Sequence, residues 1–308
     1  MFQQKIVFMG SADISREYLR SLFENQYNII AVYTQPPRKK NRGMEVTKSP
    51  VQLYAEEKNI RIHHPNNLEL QDDLSVLRDL KPDIVVVMGY GILIPSILLN
   101  IPKFGFINIH VSLLPRWRGA SPIEHSIING DEQTGISIFQ LEEKLDTGPI
   151  LNSASIKIED SFSKHDLILR LNKLGTSLLN ETLPKIFNNT ILMKEQDDSK
   201  ATYAKKLTSE SRKINFNDNV TNVYNHIRAF SPKPSAWFIH NNQRINIIKC
   251  SMHICKSESS KILNVQFHIG CKNGKIIPQI IQREGKKPME INEFLKGYKF
   301  KVNQKINA

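Results

Sequence analysis

Apolar residues in the first half of the chain alternate between two spacings. Residues 6–9 form a short apolar run, Ile14, Tyr18, Leu19, Leu22 and Phe23 recur on one face of a helix, and residues 29–33 are apolar again. This succession predicts strand, helix, strand. Pro82-Asp83 leads into the unbroken apolar run 84–88, the pattern of a strand buried on both faces of a parallel sheet, and residues 105–110 predict the next strand. Ile136 and Ile138 mark a further strand before the turn Asp146-Thr147-Gly148. Ser163 with Asp166 three residues on has the form of a capping box. The helix after it carries Leu167, Ile168, Leu171, Leu174, Leu178 and Leu179 at helical spacing and is expected to end near Pro184.

The pattern then changes. Residues 188–211 are polar and without period, as a connector would be. Short β-rich runs follow at 237–239, 244–248, 262–269 and 276–281, with Asn241-Asn242 and Asn273-Gly274 as turn signals. Short strands at this spacing predict a small barrel. The chain of 308 residues therefore divides into a doubly wound α/β domain over 1–189, a linker over 190–208 and a smaller OB-like β-barrel over 209–308.

Charge separates the same parts. Residues 1–189 carry 21 Lys and Arg against 21 Asp and Glu, whereas residues 190–308 carry 21 against 9, so the whole excess of +12 belongs to the C-terminal third. Such a bias is the footprint of a surface that meets a polyanion, nucleic acid above all. No apolar run approaches the ~18 residues of a membrane span and no cleavage signal opens the chain, so no membrane partner and a cytoplasmic location are expected. Three cysteines, Cys250, Cys255 and Cys271, are too few for a disulfide framework and fit a reducing compartment. His253 and His268 lie near them, but without a CxxC pair no metal is expected.

Gly10 follows the first strand, yet residues 11–17 hold no second glycine, so neither the dinucleotide fingerprint nor a phosphate-binding loop is present and Gly10 reads as a strand-to-helix turn. Asn108 and His110 are two apart on a predicted strand and so project to one side, roughly 6–7 Å apart. An amide can donate to a carbonyl oxygen that becomes an oxyanion, and an imidazole can exchange a proton with an attacking amine. Acyl transfer needs both.

The segment His110-Val111-Ser112-Leu113-Leu114-Pro115-Arg116-Trp117-Arg118-Gly119, followed by Asp146-Thr147-Gly148, closely resembles the signature of folate-dependent formyltransferases. The resemblance extends over nearly the whole chain. It includes Ile6-Val7-Phe8-Met9-Gly10, Thr34-Gln35-Pro36, Gly89-Tyr90-Gly91, Ala201-Thr202-Tyr203-Ala204, Arg228-Ala229-Phe230 and Gly285-Lys286-Lys287-Pro288-Met289. Trp117 and the run at 201–204 favour the branch that acts on tRNA over the branch that acts on nucleotide-linked sugars.

The resemblance implies a catalytic triad of Asn108, His110 and Asp146. It implies 10-formyltetrahydrofolate as formyl donor, held beside Ser112, Leu113, Leu114 and Pro115 and beside Met88, Gly89, Tyr90 and Ile92, with no tightly bound cofactor. It implies methionyl initiator tRNA as acceptor, met by Arg42 and by Lys39 and Lys40 in a basic βα connection, and a monomer. Two departures from the family pattern stand out. The first turn has Ser11-Ala12-Asp13-Ile14 in place of Thr-Pro and then Asp-Phe, and the basic loop has Pro37-Arg38-Lys39 in place of Asp-Arg-Pro, with Glu45 at an often basic position. Three other functions share much of this pattern: amino-sugar formylation on a nucleotide carrier, formate release from the same folate, and tRNA binding without catalysis.

Overall fold

A computed structural model describes residues 3–40, 45–68 and 71–306. The chain forms two compact units: Met1–Arg118, Gly135–Ile156 and Leu169–Tyr203 make the first, and Gly119–Thr134, Lys157–Ile168 and Ala204–Ala308 make the second.

In the first unit a seven-stranded sheet runs in the order Ile150–Lys157, Gln133–Gln140, Phe106–His110, Ile84–Met88, Lys5–Gly10, Asn28–Tyr33, Ile62–His63. The five strands from Phe106–His110 to Ile62–His63 pair in parallel, and Gln133–Gln140 joins antiparallel. All five residues of Ile84–Met88 are buried, as the unbroken apolar run predicts for a strand covered on both faces. The chain leaves Lys5–Gly10 toward one edge of the sheet and returns on its other side at Ile84–Met88, so the order reverses between these two strands. In doubly wound sheets the crevice outside the carboxyl ends at such a reversal is where ligands bind.

Helix Asp13–Glu24 buries Tyr18, Leu19 and Leu22 as predicted, whereas Phe23 is turned toward solvent and meets the Tyr54 ring edge-on. The capping box forms: the Ser163 amide donates to Asp166 Oδ2 at 3.0 Å and the Asp166 amide to Ser163 Oγ at 3.3 Å. The helix that follows does not stop at Pro184 but continues to Phe187. Proline removes the hydrogen bond to the carbonyl four residues back, Asn180, and the Tyr27 hydroxyl lies 3.5 Å from that oxygen.

The second unit holds a five-stranded antiparallel sheet in which Ala236–His240, Gln243–Ile254, Gly274–Arg283 and Ile269–Cys271 are neighbours in turn and Met289–Glu290 pairs with Gly274–Arg283. Register shifts at Ile247/Lys249 and Lys249/Cys250 bend the long strand, which lets the sheet curl into a half-barrel of OB-like form. Asn241 and Asn242 both sit at positive φ, 48° and 55°, the conformation a two-residue hairpin turn requires. The strand predicted over 262–269 shrinks to Ile269–Cys271. Asn264 accounts for the loss, because its Oδ1 accepts from the amides of Gln266 and His268 and draws the chain into a turn that buries Phe267.

Burial holds the imidazoles of His226, His240 and His268 below their ordinary value of 6.5. They stay neutral in the fold where the unfolded chain takes up protons, so the stability they leave intact above about pH 6.5 declines as the pH falls below it. The thermal midpoint should therefore drop between about pH 6.5 and 5, before carboxylates titrate, and a flat profile over that window would exclude these three groups as the cause.

Candidate active site

Two loops emerge side by side at the carboxyl ends of adjacent parallel strands. Residues 88–92 follow Ile84–Met88 and residues 111–118 follow Phe106–His110. The sheet thus brings Met88, Gly89, Tyr90 and Ile92 to the same edge as Ser112, Leu113, Leu114 and Pro115.

The first turn is built around a hydroxyl. Ser11 Oγ donates to the Tyr90 carbonyl at 3.3 Å and accepts from the Gln35 amide at 3.0 Å and from Thr34 Oγ1 at 3.2 Å, while the Ser11 amide donates to the Gly89 carbonyl at 3.2 Å. Ser15 Oγ adds a bond to the Met88 carbonyl at 2.5 Å. The departure at residues 11–14 therefore ties together the ends of three neighbouring strands. A Cβ on Gly10 would sit 2.7 Å from a Phe8 ring carbon and 2.9 Å from the Met88 carbonyl, so only glycine fits there.

Asn108 is half-buried and His110 is buried. His110 Nε2 lies 2.7 Å from the Trp117 carbonyl, which can only accept, so this nitrogen carries a proton. Nδ1 faces Asp146 Oδ2 at 3.7 Å, an ion-pair distance in a site where both side chains are under a tenth exposed. The ring thus stands between a carbonyl acceptor on one side and a carboxylate on the other. Asp146 itself takes a left-handed backbone, φ 53°, a conformation that aspartate tolerates better than most residues.

The loop after His110 is pinned from within. Ser112 Oγ donates to the Arg116 carbonyl at 2.6 Å, and Ser137 Oγ both donates to the Ser112 carbonyl at 2.8 Å and accepts from the Leu114 amide at 3.0 Å. Thr202 Oγ1 accepts from the Trp117 amide at 2.9 Å. Gln196 Nε2 donates to the carbonyls of Asp146 and Gly148, at 2.9 and 2.8 Å, and its Oε1 accepts from the buried Arg118 guanidinium. Pattern and spacing gave no sign of Gln196, Ser137 or Ser11. Arg118 and Thr202 lie in the segments that carry the resemblance, which attached no role to either.

Lys39 and Lys40 fall in the strand Arg38–Lys40, which pairs antiparallel with Glu45–Thr47, while Arg42 lies outside the described residues. Among the described residues no three His, Cys, Asp or Glu side chains gather as a metal site. Nor is any described helix long and apolar enough to cross a membrane.

An amide and an imidazole–carboxylate pair stand at the carboxyl edge of a doubly wound α/β sheet, side chains of the kind that acyl transfer employs. Residues 4–183 match the model of the formyl transferase domain and residues 206–299 that of the formyl transferase C-terminal domain, so the chain belongs to the formyl transferase family. It is 43% identical over 296 residues to a methionyl-tRNA formyltransferase of Pelagibacter ubique, with 96% of each chain covered. It is 41% identical over 302 residues to a methionyl-tRNA formyltransferase of a Wolbachia strain from Drosophila simulans, covering 98% of this chain and 99% of that one. Among solved structures, the sugar 3N-formyl transferase WlaRD, studied with dTDP and 5-N-formyl-THF, superposes with a TM-score of 0.65 at 21% identity over 93% of this chain and 100% of its own. An N-formyltransferase from Helicobacter canadensis, in complex with folinic acid and dTDP-3-aminofucose, gives 0.65 at 20% over 91% and 100%. At that identity the likeness is one of fold.

Proposed function

We propose that this enzyme transfers the formyl group of 10-formyltetrahydrofolate to the amino group of methionyl initiator tRNA, giving the N-formylmethionyl-tRNA that starts translation. The observation that carries the reading is the His110–Asp146 pair beside Asn108 on a chain matched end to end by methionyl-tRNA formyltransferases. The methionyl amine attacks the formyl carbon and Asn108 donates to the oxyanion of the tetrahedral intermediate. The positive charge of the His110 imidazolium, whose ring nitrogens face Trp117 and Asp146, stabilises it electrostatically, and Asp146 orients the ring. The bond from carbon to N10 of the folate then breaks, the amine nitrogen gives up a proton and N10 gains one. The loops at 88–92 and 112–115 hold the folate at the sheet's carboxyl edge. Arg42, with Lys39 and Lys40, contacts the acceptor end of the tRNA. The enzyme works as a cytoplasmic monomer.

Residues 209–308 supply the affinity for tRNA. Arg212, Lys233, Arg244 and Arg283 converge on a cleft of about 280 Å³, in which Arg244 stacks 4.2 Å over Trp237 and its buried Nε has no hydrogen-bond partner among the described residues. Burial, and then the charge of Arg244, hold the Arg212 guanidinium below its ordinary value, a pairing of like charges that an anion would relieve. Replacing Arg244 with Met should weaken tRNA binding and lower the slope of log affinity against log salt by about one, the value of one lost phosphate contact. An unchanged slope would take this residue out of the interface.

The deciding assay supplies 10-formyltetrahydrofolate with methionyl initiator tRNA, methionyl elongator tRNA or an amino-sugar nucleotide and reads products by mass spectrometry. Formylation of the initiator alone is expected. Formylation of the sugar alone would keep the chemistry and overturn the acceptor.

A further inference from the structure

Residues 196–202 hold both partners of the His110 ring. Thr202 fixes the Trp117 amide, and the carbonyl of that same residue receives the proton on His110 Nε2. At the other end, Gln196 Nε2 spans the carbonyls of Asp146 and Gly148 at 2.9 and 2.8 Å, one amide proton to each. The orientation of this amide is fixed, because its Oε1 receives Arg118 Nη2 at 2.9 Å and Nε at 3.2 Å, and a flipped amide would set donors against donors. Arg118 is only 2% exposed and is held in turn by Asp198 Oδ1 at 2.7 Å. The Asp146 turn has little slack elsewhere: a Cβ on Gly148 would lie 1.8 Å from the Gln140 carbonyl.

On the reading of function above, we infer that Gln196 is a positioning residue for the formyl transfer, setting through the Asp146 and Gly148 carbonyls where the Asp146 carboxylate stands relative to His110. A glutamine suits this place and a glutamate does not. A carboxylate could still meet Arg118, but it would turn an acceptor toward two carbonyl oxygens and drive the turn away from the ring. A misplacement of about 1 Å in a catalytic constellation costs about 10²-fold in rate.

The test is Gln196→Glu, which keeps size and a partner for Arg118, beside Gln196→Ala. Both should lower kcat by about 10²-fold while KM for folate and for tRNA stays within about twofold. Spectra of protein carrying ¹⁵N-histidine provide a readout independent of turnover: the His110 Nδ1 resonance and its pH dependence should change in both variants. An unaltered kcat, or an unaltered His110 resonance, would overturn the inference. So would a rise in KM together with a fall in the melting temperature, the mark of a merely structural residue. Should the parent protein formylate nothing, the functional reading fails on its own, and the His110 spectra still decide whether Gln196 sets the imidazole–carboxylate pair.

Discussion

Replacing Asp146 with Asn should reduce kcat by a factor on the order of 10² to 10⁴ while leaving the dissociation constant for tRNA within about twofold. The two side chains are nearly the same size, and Gln196 holds the Asp146 turn through the backbone carbonyls of Asp146 and Gly148, which the substitution leaves in place. What disappears is the negative charge opposite His110 Nδ1. Without it the buried ring loses the carboxylate that faces Nδ1, so any positive charge it offers the developing oxyanion goes unsupported when that oxyanion forms. A loss confined to kcat is the signature of an interaction made in the transition state. Single-turnover measurements with saturating folate separate this from slow product release, and turnover within about threefold of the parent would remove Asp146 from the mechanism.

Asn108→Ala should cost about 10²- to 10³-fold in kcat, the range for deleting one donor to an oxyanion. Asn108 is half-buried in the middle of its strand, so truncation opens no enclosed cavity and the thermal midpoint should move little. Asn108→Asp sharpens the test, because it preserves shape while turning the donor into an acceptor. The aspartate variant should be at least as slow as the alanine variant. If it kept the parent rate, donation by Asn108 to the oxyanion would be wrong.

Local pattern carried the elements that depend on local chemistry. The five buried residues of Ile84–Met88, the Ser163–Asp166 cap and the Asn241-Asn242 hairpin all read correctly because each is decided by a few adjacent side chains. The errors arose where something distant or less regular decided the outcome. Pro184 lies inside the last turn of its helix, where few hydrogen bonds remain to be lost, and the Tyr27 hydroxyl approaches the carbonyl it frees. Residues 262–269 look like a strand by composition, and one asparagine side chain redirects their backbone.

Within the site, Asn108 and His110 could be set on one face of a strand from period two alone, whereas Asp146 entered through resemblance, 36 residues further along. Gln196 was invisible to either route. It lies 50 residues from Asp146 and 78 from Arg118, in a polar stretch whose lack of period reads as a connector, and only folding reveals that its amide matches two carbonyls and a guanidinium. Ser11 stood out only as a departure from the family pattern, and the bonds it makes to Thr34, Gln35 and Tyr90 come to light in the fold.

The way the chain is shared between its two units bears on how the protein can be cut and recombined. Arg228, buried on helix Val220–Ala229, sends its Nη1 to the carbonyls of Glu159 and Phe162, and the Tyr224 hydroxyl donates to the Asp160 carbonyl. All three acceptors come from a stretch some 60 to 70 residues earlier in the chain. A fragment beginning at residue 204 would thus carry a guanidinium stripped of those acceptors and an exposed face where residues 119–134 and 157–168 had packed. The basic module is not a detachable C-terminal cassette: a chimera that exchanges it must replace three separate segments, with five junctions in the gene, and a protease nick near residue 204 leaves a piece that is unfinished rather than merely released.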